Sequence, residues 1–133
     1  MYSRKNSVGF FQPVNWGAVK NQFRPILGDH FEEAQRAVLS GRERVFRING
    51  TSIVLLRAEG SQLVVAGFVG DIEEAAPLIY QQAKSRGFKS IRIHAERRAE
   101  QRKLNSMGFN FKLVSTHQCS ARNCQEFELV MEI

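Results

Sequence analysis

Residues 44–69, RVFRINGTSIVLLRAEGSQLVVAGFV, decide the fold of this chain of 133 residues. Strand-forming residues predominate at 44–48, 51–58 and 62–69, and Asn49-Gly50 separates the first two runs. Asn-Gly is the strongest short hairpin signal, because both central residues of that turn need positive φ. Glu59-Gly60 predicts a second turn. The stretch therefore predicts three antiparallel strands joined by two tight turns.

On the N-terminal side of this meander, apolar spacing predicts two helices. The first begins at Trp16, after a cap at Asn15, and Pro25 is expected to end or kink it. The second runs from His30 to Leu39, with Asp29 as its cap. Residues 1–15 show no clear period, and we expect an N-terminal arm or an edge strand there.

On the C-terminal side, helices and strands alternate. The pattern predicts helices at 71–86 and 97–107 and strands at 90–94, 109–115 and 126–133. Pro77 means that the first helix is kinked or becomes regular only near Ala76. Phe127, Leu129 and Met131 are expected on one face of the last strand. The whole sequence, 1–133, is interpreted as a single α/β domain.

The composition predicts a hydrophobic core and no membrane-spanning helix. Apolar residues make up 43%, and no apolar run approaches the ~20 residues of a membrane helix. The basic N-terminus is not followed by a long apolar stretch, so a secretory signal is not expected. Two cysteines are too few for a disulfide scaffold, and we expect a reducing, cytoplasmic location.

The positive charge is concentrated in one segment. Residues 84–103 hold eight basic and two acidic residues, an excess of +6 that equals the net charge of the chain. Such a patch attracts nucleic acid phosphate or an acidic partner, or it is a solvated helix face. No helix-turn-helix or zinc-finger pattern accompanies it. The candidate contact residues are Arg86, Lys89, Arg97, Arg98, Arg102 and Lys103.

A histidine and both cysteines lie close together near the C-terminus. His117, Cys119 and Cys124 offer three potential metal ligands, where structural zinc sites usually have four. We therefore expect no metal. The alternative is a hairpin whose neck brings the two cysteines opposite each other, and the spacing leaves open whether they pair.

The order of elements resembles the GNAT superfamily of acyl-CoA N-acyltransferases. The resemblance covers roughly residues 30–133, and its best match is KSIRIH at 89–94 followed by RKLNSMGF at 102–109. It implies a mixed α+β sheet, with acetyl-CoA as the cofactor of an active member. More narrowly, the chain resembles small GNAT-like proteins of tailed bacteriophages, one group of which serves virion assembly.

The resemblance also implies where acyl-CoA would bind. The family holds the CoA pyrophosphate in the loop after the third meander strand, which here places Gly67, Val69, Gly70 and Ala75 as cofactor-binding candidates. The basic or amide residue of the family pattern is missing. The acidic residues Asp71, Glu73 and Glu74 lie where diphosphate would bind.

The catalytic residues of the family are equally hard to match. Leu104 stands where many members carry a tyrosine that protonates the leaving CoA thiolate. Glu59 is predicted to lie in a turn, which does not suit a general base. His94, at the end of a strand, is the remaining catalytic candidate.

Three functions are expected in this order. The first is a GNAT-like protein with a degenerate acyl-CoA site and no cofactor, which contacts phage structural proteins or itself in the host cytoplasm or virion. The second is an active acetyl-CoA-dependent N-acetyltransferase. The third is a basic nucleic-acid-binding module.

Overall fold

The computed structural model describes residues 11–118 and 125–133, so Cys119 and Cys124 lie outside the described residues. A 3-10 turn at Gly28–His30 separates the first two helices. The elements are β1 (Phe11–Pro13), α1 (Trp16–Leu27), α2 (Phe31–Leu39), β2 (Glu43–Ile48), β3 (Ser52–Glu59), β4 (Gln62–Val69), α3 (Ile72–Ser85), β5 (Ser90–Ala95), α4 (Arg98–Ser106), β6 (Lys112–Gln118) and β7 (Gln125–Glu132).

The seven strands form one mixed sheet in the order β1-β2-β3-β4-β5-β7-β6. Neighbours β4 and β5 are parallel, and the other neighbouring pairs are antiparallel. The predicted mixed α+β architecture is therefore confirmed. None of the described helices is both long and apolar enough to cross a membrane.

The three-strand meander is confirmed by the antiparallel pairing of β2 with β3 and of β3 with β4. Its first turn has the expected backbone conformation. Asn49 has φ 57° and Gly50 has φ 75°, the two positive values that the hairpin needs. The turn pairs β2 with β3 in a register that places Ile48 opposite Ser52. Residues 11–13 add β1 to the edge beside β2, so the edge strand expected within residues 1–15 exists there.

Helices cover both faces of the sheet. Alternation along β3 sends Ile53 and Leu55 to one face and Val54 and Leu56 to the other. Helices α1 and α2 pack on the first face, and α3 and α4 pack on the second. The helix pair α1–α2 lies over β2, β3 and β4, and it leaves the same face of β5, β7 and β6 to polar side chains.

Pro25 does not end its helix, contrary to the first of the two expectations for it. Helix α1 continues to Leu27 because Phe23 and Leu27, on either side of the proline, are both buried against the sheet. Asp29 is not the cap of α2 either. It lies in the 3-10 turn, where the carbonyl of Gly28 accepts the N–H of Phe31.

Strand β6 begins three residues later than expected. The chain after α4 is held to that helix, because Asn105 Oδ1 accepts the N–H of Phe111 at 2.9 Å. Gln101 Nε2 also donates to the Phe111 carbonyl at 2.9 Å. These bonds use the backbone groups that would otherwise extend the strand toward Phe109.

Candidate functional site

The sheet opens between β4 and β5. Their parallel pairing begins at Gln62 and ends at Val65, opposite Ile93, although β4 runs on to Val69. Ala66 is an extra residue in β4, because Leu55 pairs with Gly67 and Leu56 with Val65. Such a bulge bends its strand and ends regular pairing. The bulge therefore accounts for the separation of the two strands.

A cleft of about 1180 Å³ occupies this opening. Arg57 and Ala66 line it from the face of the sheet that α1 and α2 cover, and Leu104 lines it from the face that α3 and α4 cover. The cleft therefore reaches both faces where β4 and β5 separate. Its volume is larger than the roughly 300–1,000 Å³ of most ligand-binding clefts.

The N-terminus of α3 lies next to this opening, and the backbone donors of Asp71, Glu73 and Glu74 are occupied. Asp71 Oδ1 accepts the N–H groups of Glu73 and Glu74, at 3.0 and 3.4 Å. The N–H of Asp71 donates to Ser52 Oγ at 3.2 Å. Thr51 Oγ1 donates to Glu74 Oε1 at 3.2 Å. Asp71 is therefore the N-cap of α3, and it uses the groups that hold phosphate in other helices.

Gly70 fixes the tight connection from β4 to α3, in which only Gly70 and Asp71 lie between the two elements. Its φ of 134° is unfavourable for residues with a side chain. A Cβ at this position would come within 2.3 Å of Ser52 Oγ and 2.8 Å of Ser52 Cα. The chain therefore passes from strand to helix directly against β3.

The other cofactor-binding candidates of the sequence have packing roles. A Cβ on Gly67 would meet the Phe23 ring at 3.2 Å, so this glycine lets α1 approach the sheet closely. Val69 packs against the buried cluster under α1 and α2. Ala75 is fully buried in the cluster under α3.

His94 does lie at the cleft. Its Nδ1 is 3.4 Å from Glu126 Oε1 on the neighbouring strand β7. The hydrogen bond from His94 lowers the pKa of Glu126, and burial partly opposes that decrease. Leu104 is buried. The Tyr80 ring is tilted by 49° against the Phe109 ring, with centroids 5.5 Å apart, so the tyrosine packs against the core cluster under α3.

Acidic and basic side chains alternate across the face of the sheet that α1 and α2 cover. Arg57 bonds to Glu43 through Nη1 and to Glu59 through Nη2, the latter at 2.7 Å. Arg92 Nη2 lies 3.0 Å from Glu59 Oε1, and its Nε lies 3.9 Å from Glu128 Oε2. We call these five residues the cleft network. It contains three carboxylates and two guanidinium groups.

The pKa values along the cleft network differ in direction. Burial raises the pKa of Glu43, and the hydrogen bond and charge of Arg57 only partly offset this. Burial also acts to raise the pKa values of Glu59 and Glu128, but their hydrogen bonds and the neighbouring arginines outweigh it and lower both. Glu43 is therefore the least stabilised carboxylate of the network.

Sequence reasoning missed Glu43, which is 3% exposed and lines the cleft. The signal was present in the strand alternation, because residue 43 shares a face with the buried Val45. The predicted strand began one residue too late, at Arg44, and so left Glu43 in a loop.

The basic candidates of the 84–103 segment are all exposed, and they do not form one uninterrupted set of free charges. Arg97 Nη2 is 3.4 Å from Glu100 Oε2, and Arg98 lies 5.7 Å above the Phe127 ring. Arg92, in the same segment, lies on the face of the sheet that α1 and α2 cover and belongs to the cleft network. His117, the described member of the possible metal set, contacts Ser115 Oγ at 2.8 Å.

Solved acetyltransferases share this fold at low sequence identity. The IAA acetyltransferase of Bacillus cereus matches with a TM-score of 0.64 and 12% identity, over 92% of this chain and 98% of that one. A probable GNAT-family acetyltransferase of Chromobacterium violaceum gives 0.57 and 13%, over 77% and 65%. A Bacillus subtilis acetyltransferase in complex with CoA gives 0.55 and 10%, over 77% and 83%.

Comparison by sequence gives no further relative: no protein-family model and no curated protein matches this chain. The similarity to solved structures is therefore evidence of fold alone. The chain has the fold of the GNAT acetyltransferases.

Proposed function

We propose that this GNAT-fold protein does not bind acetyl-CoA in the manner of the family and acts by binding other proteins. The closed N-terminus of α3 is the observation that carries the proposal. Asp71 takes the N–H groups of Glu73 and Glu74, which are the donors that a CoA pyrophosphate would need.

Electrostatics oppose diphosphate binding at this helix as well. The first turn of α3 holds the carboxylates of Glu73 and Glu74, and Asp71 precedes it. Like charges at about 4 Å repel by ~1 kcal/mol in water and by more in a partly buried site. Leu104, where the resemblance implies a tyrosine, has no proton to give to a departing thiolate.

The test is a calorimetric titration of the protein with acetyl-CoA, with the CoA-binding Bacillus subtilis acetyltransferase as positive control. We expect no saturable heat from this chain under conditions that saturate the control. A second arm uses the Asp71→Asn/Glu74→Gln variant, in which two of the repelling charges are removed. Saturable binding by the unmodified protein contradicts the proposal.

A role in phage assembly extends the proposal to a class of partner. It rests on the resemblance to small phage GNAT-like proteins, and the partners would be phage structural proteins or a second copy of the chain, in the host cytoplasm or the virion. Co-expression with any portal, capsid or tail protein that is encoded beside the gene, followed by size-exclusion chromatography, tests it. Elution as a free chain in every combination contradicts it.

An active N-acetyltransferase is the second candidate, favoured by the cleft where β4 and β5 separate. In this reading acetyl-CoA enters the opening without the usual pyrophosphate contacts at α3. Acetylation of a panel of amines above the uncatalysed rate would support it. The His94→Gln variant would then test the catalytic candidate, and unchanged turnover would exclude a role for His94.

Nucleic-acid binding is the third candidate, favoured by the exposure of all six basic candidates between residues 86 and 103. Phosphate contacts release counterions, so affinity must fall steeply with salt. A fluorescence-polarisation titration with duplex DNA and single-stranded RNA at two salt concentrations tests this. Salt-independent binding would exclude contact through phosphate.

A further inference from the structure

The cleft is an acidic region of a basic protein. The chain carries a net charge of +6, yet the residues that line the cleft include six glutamates and four arginines. The cleft network also has more carboxylates than guanidinium groups, three against two. The acidic lining therefore favours a positively charged occupant of the cleft.

The buried end of the network is where hydrogen bonding is incomplete. Glu43 Oε2 bonds to Arg57 Nη1, whereas Glu43 Oε1 has no hydrogen-bond partner among the described residues. The residue is 3% exposed. A buried charged oxygen without a partner costs free energy, and a donor in the cleft would recover it.

We propose that Glu43 binds the ammonium group of a lysine side chain that a partner protein inserts into the cleft. This deepens the proposed function and rests on its protein-binding part, because it names the chemistry of the partner. Ala34 and Ala37 of α2, two small residues, line the same cleft as Glu43.

The number of available oxygens favours lysine over arginine. A guanidinium group binds carboxylates best through two parallel hydrogen bonds, and Arg57 already occupies one oxygen of Glu43. An ammonium group is a compact charge that needs only a single oxygen. The structure thus leaves at Glu43 the acceptor that lysine uses.

The probe is the capped tripeptide acetyl-Gly-Lys-Gly-amide, titrated into the full chain by NMR. Its two controls carry norleucine, which keeps the aliphatic stem, or arginine in place of lysine. We expect binding of the lysine peptide, weaker binding of the arginine peptide and none of the norleucine peptide. Equal response to the lysine and norleucine peptides overturns the proposal, and a preference for arginine overturns the assignment to an ammonium group.

The matched variants are Glu43→Gln and Glu33→Gln. Each removes one negative charge from the cleft lining, but Glu33 is exposed on α2. We expect about tenfold weaker binding in Glu43→Gln, as for the loss of one charge-assisted hydrogen bond, and less than about twofold in Glu33→Gln. Equal effects of the two variants contradict a specific site at Glu43.

A measurement on the unmodified protein removes any dependence on the folding of a variant. Carbon-13 NMR follows the titration of the Glu43 carboxyl with and without the lysine peptide. A neighbouring ammonium group favours the ionised form, so the raised pKa of Glu43 must fall when the peptide binds. An unchanged pKa at saturating peptide overturns the proposal.

The two proposals can fail separately. If acetyl-CoA binds and the lysine peptide also binds at Glu43, the proposed function is wrong and the lysine site stands. If neither ligand binds, the lysine site is wrong and the closed α3 N-terminus stands.

Discussion

Two polar regions of the molecule differ in how many of their hydrogen-bonding groups have partners. They are the N-terminus of α3 and the buried end of the cleft network. At α3, Asp71 fills two backbone donors and Ser52 accepts a third hydrogen bond. At Glu43, a buried carboxylate oxygen has no partner among the described residues. Polar groups that already bond to each other offer a ligand little, whereas an unfilled acceptor gives a ligand free energy to gain.

This contrast bears on the proposed function. Solved acetyltransferases with this fold match along most of the chain, and Asp71 of this chain occupies two backbone donors at the N-terminus of α3. The cleft between β4 and β5 has an acidic lining. In the function proposed above, this cleft takes a cation and the N-terminus of α3 takes no anionic cofactor.

The largest expected effect is that of Gly70→Ala, which would disrupt the tight connection from β4 to α3. The new Cβ would clash with the side chain and backbone of Ser52, and φ would remain at 134°. Strain and overpacking together should cost about 4 kcal/mol of unfolding free energy. Urea denaturation measures it.

Gly60→Ala is the control for that substitution. Gly60 also has positive φ, at 59°, but nothing lies within 4 Å of an added Cβ. We expect a loss of about 1 kcal/mol, from the left-handed backbone alone. Equal losses in the two variants would mean that contact with Ser52 does not hold the β4–α3 connection.

Arg57→Ala tests the cleft network. It removes the bonded partner of a buried carboxylate, which typically costs about 3 kcal/mol. Urea denaturation at neutral pH measures it, with Arg97→Ala as control, because the exposed pair Arg97–Glu100 should contribute less than about 1 kcal/mol. The Arg57→Ala loss should shrink at low pH, where Glu43 protonates. A loss that is independent of pH would contradict the assignment.

Asp71→Ala tests the cap at α3. Loss of an N-cap acceptor costs about 1 kcal/mol, and Asp71→Asn should lose less than half of that because asparagine caps equally well. Thermal denaturation of the two variants measures the difference. An equal loss in Asp71→Asn would mean that the charge of Asp71, and not its hydrogen bonds, stabilises the helix.

The smallest effect is the acid dependence at Glu126. The hydrogen bond from His94 lowers the folded-state pKa of Glu126. Its contribution to stability is therefore present above the unfolded pKa and is lost as the pH falls through the folded pKa. Glu126→Gln should flatten the acid side of the stability curve, measured by urea midpoints between neutral pH and pH ~3. Identical pH profiles would exclude the contribution.

Local signals in the sequence predicted much of the fold. The Asn49-Gly50 turn and the shared face of Phe127, Leu129 and Met131 each depend on residues near in sequence, and each is confirmed. The end of α1 was harder to predict, because burial of Leu27 against the sheet carries the helix past Pro25.

The site was largely hidden from sequence reasoning because it depends on distant contacts. Glu43 is buried by α2 and β3, and its partner Arg57 is fourteen residues away. Arg92 belongs to the basic 84–103 segment, yet strand alternation sends it to the opposite face, where it meets Glu59 and Glu128. Neither pairing follows from composition or from the spacing of charges.

One NMR experiment compares the two regions directly. Amide spectra of the full chain are recorded with CoA and, separately, with acetyl-Gly-Lys-Gly-amide. The account predicts that CoA leaves the amides of Glu73 and Glu74 unmoved, while the lysine peptide shifts those around Glu43 and Arg57. Saturable shifts of Glu73 and Glu74 by CoA, with Glu43 unaffected by the peptide, would contradict it.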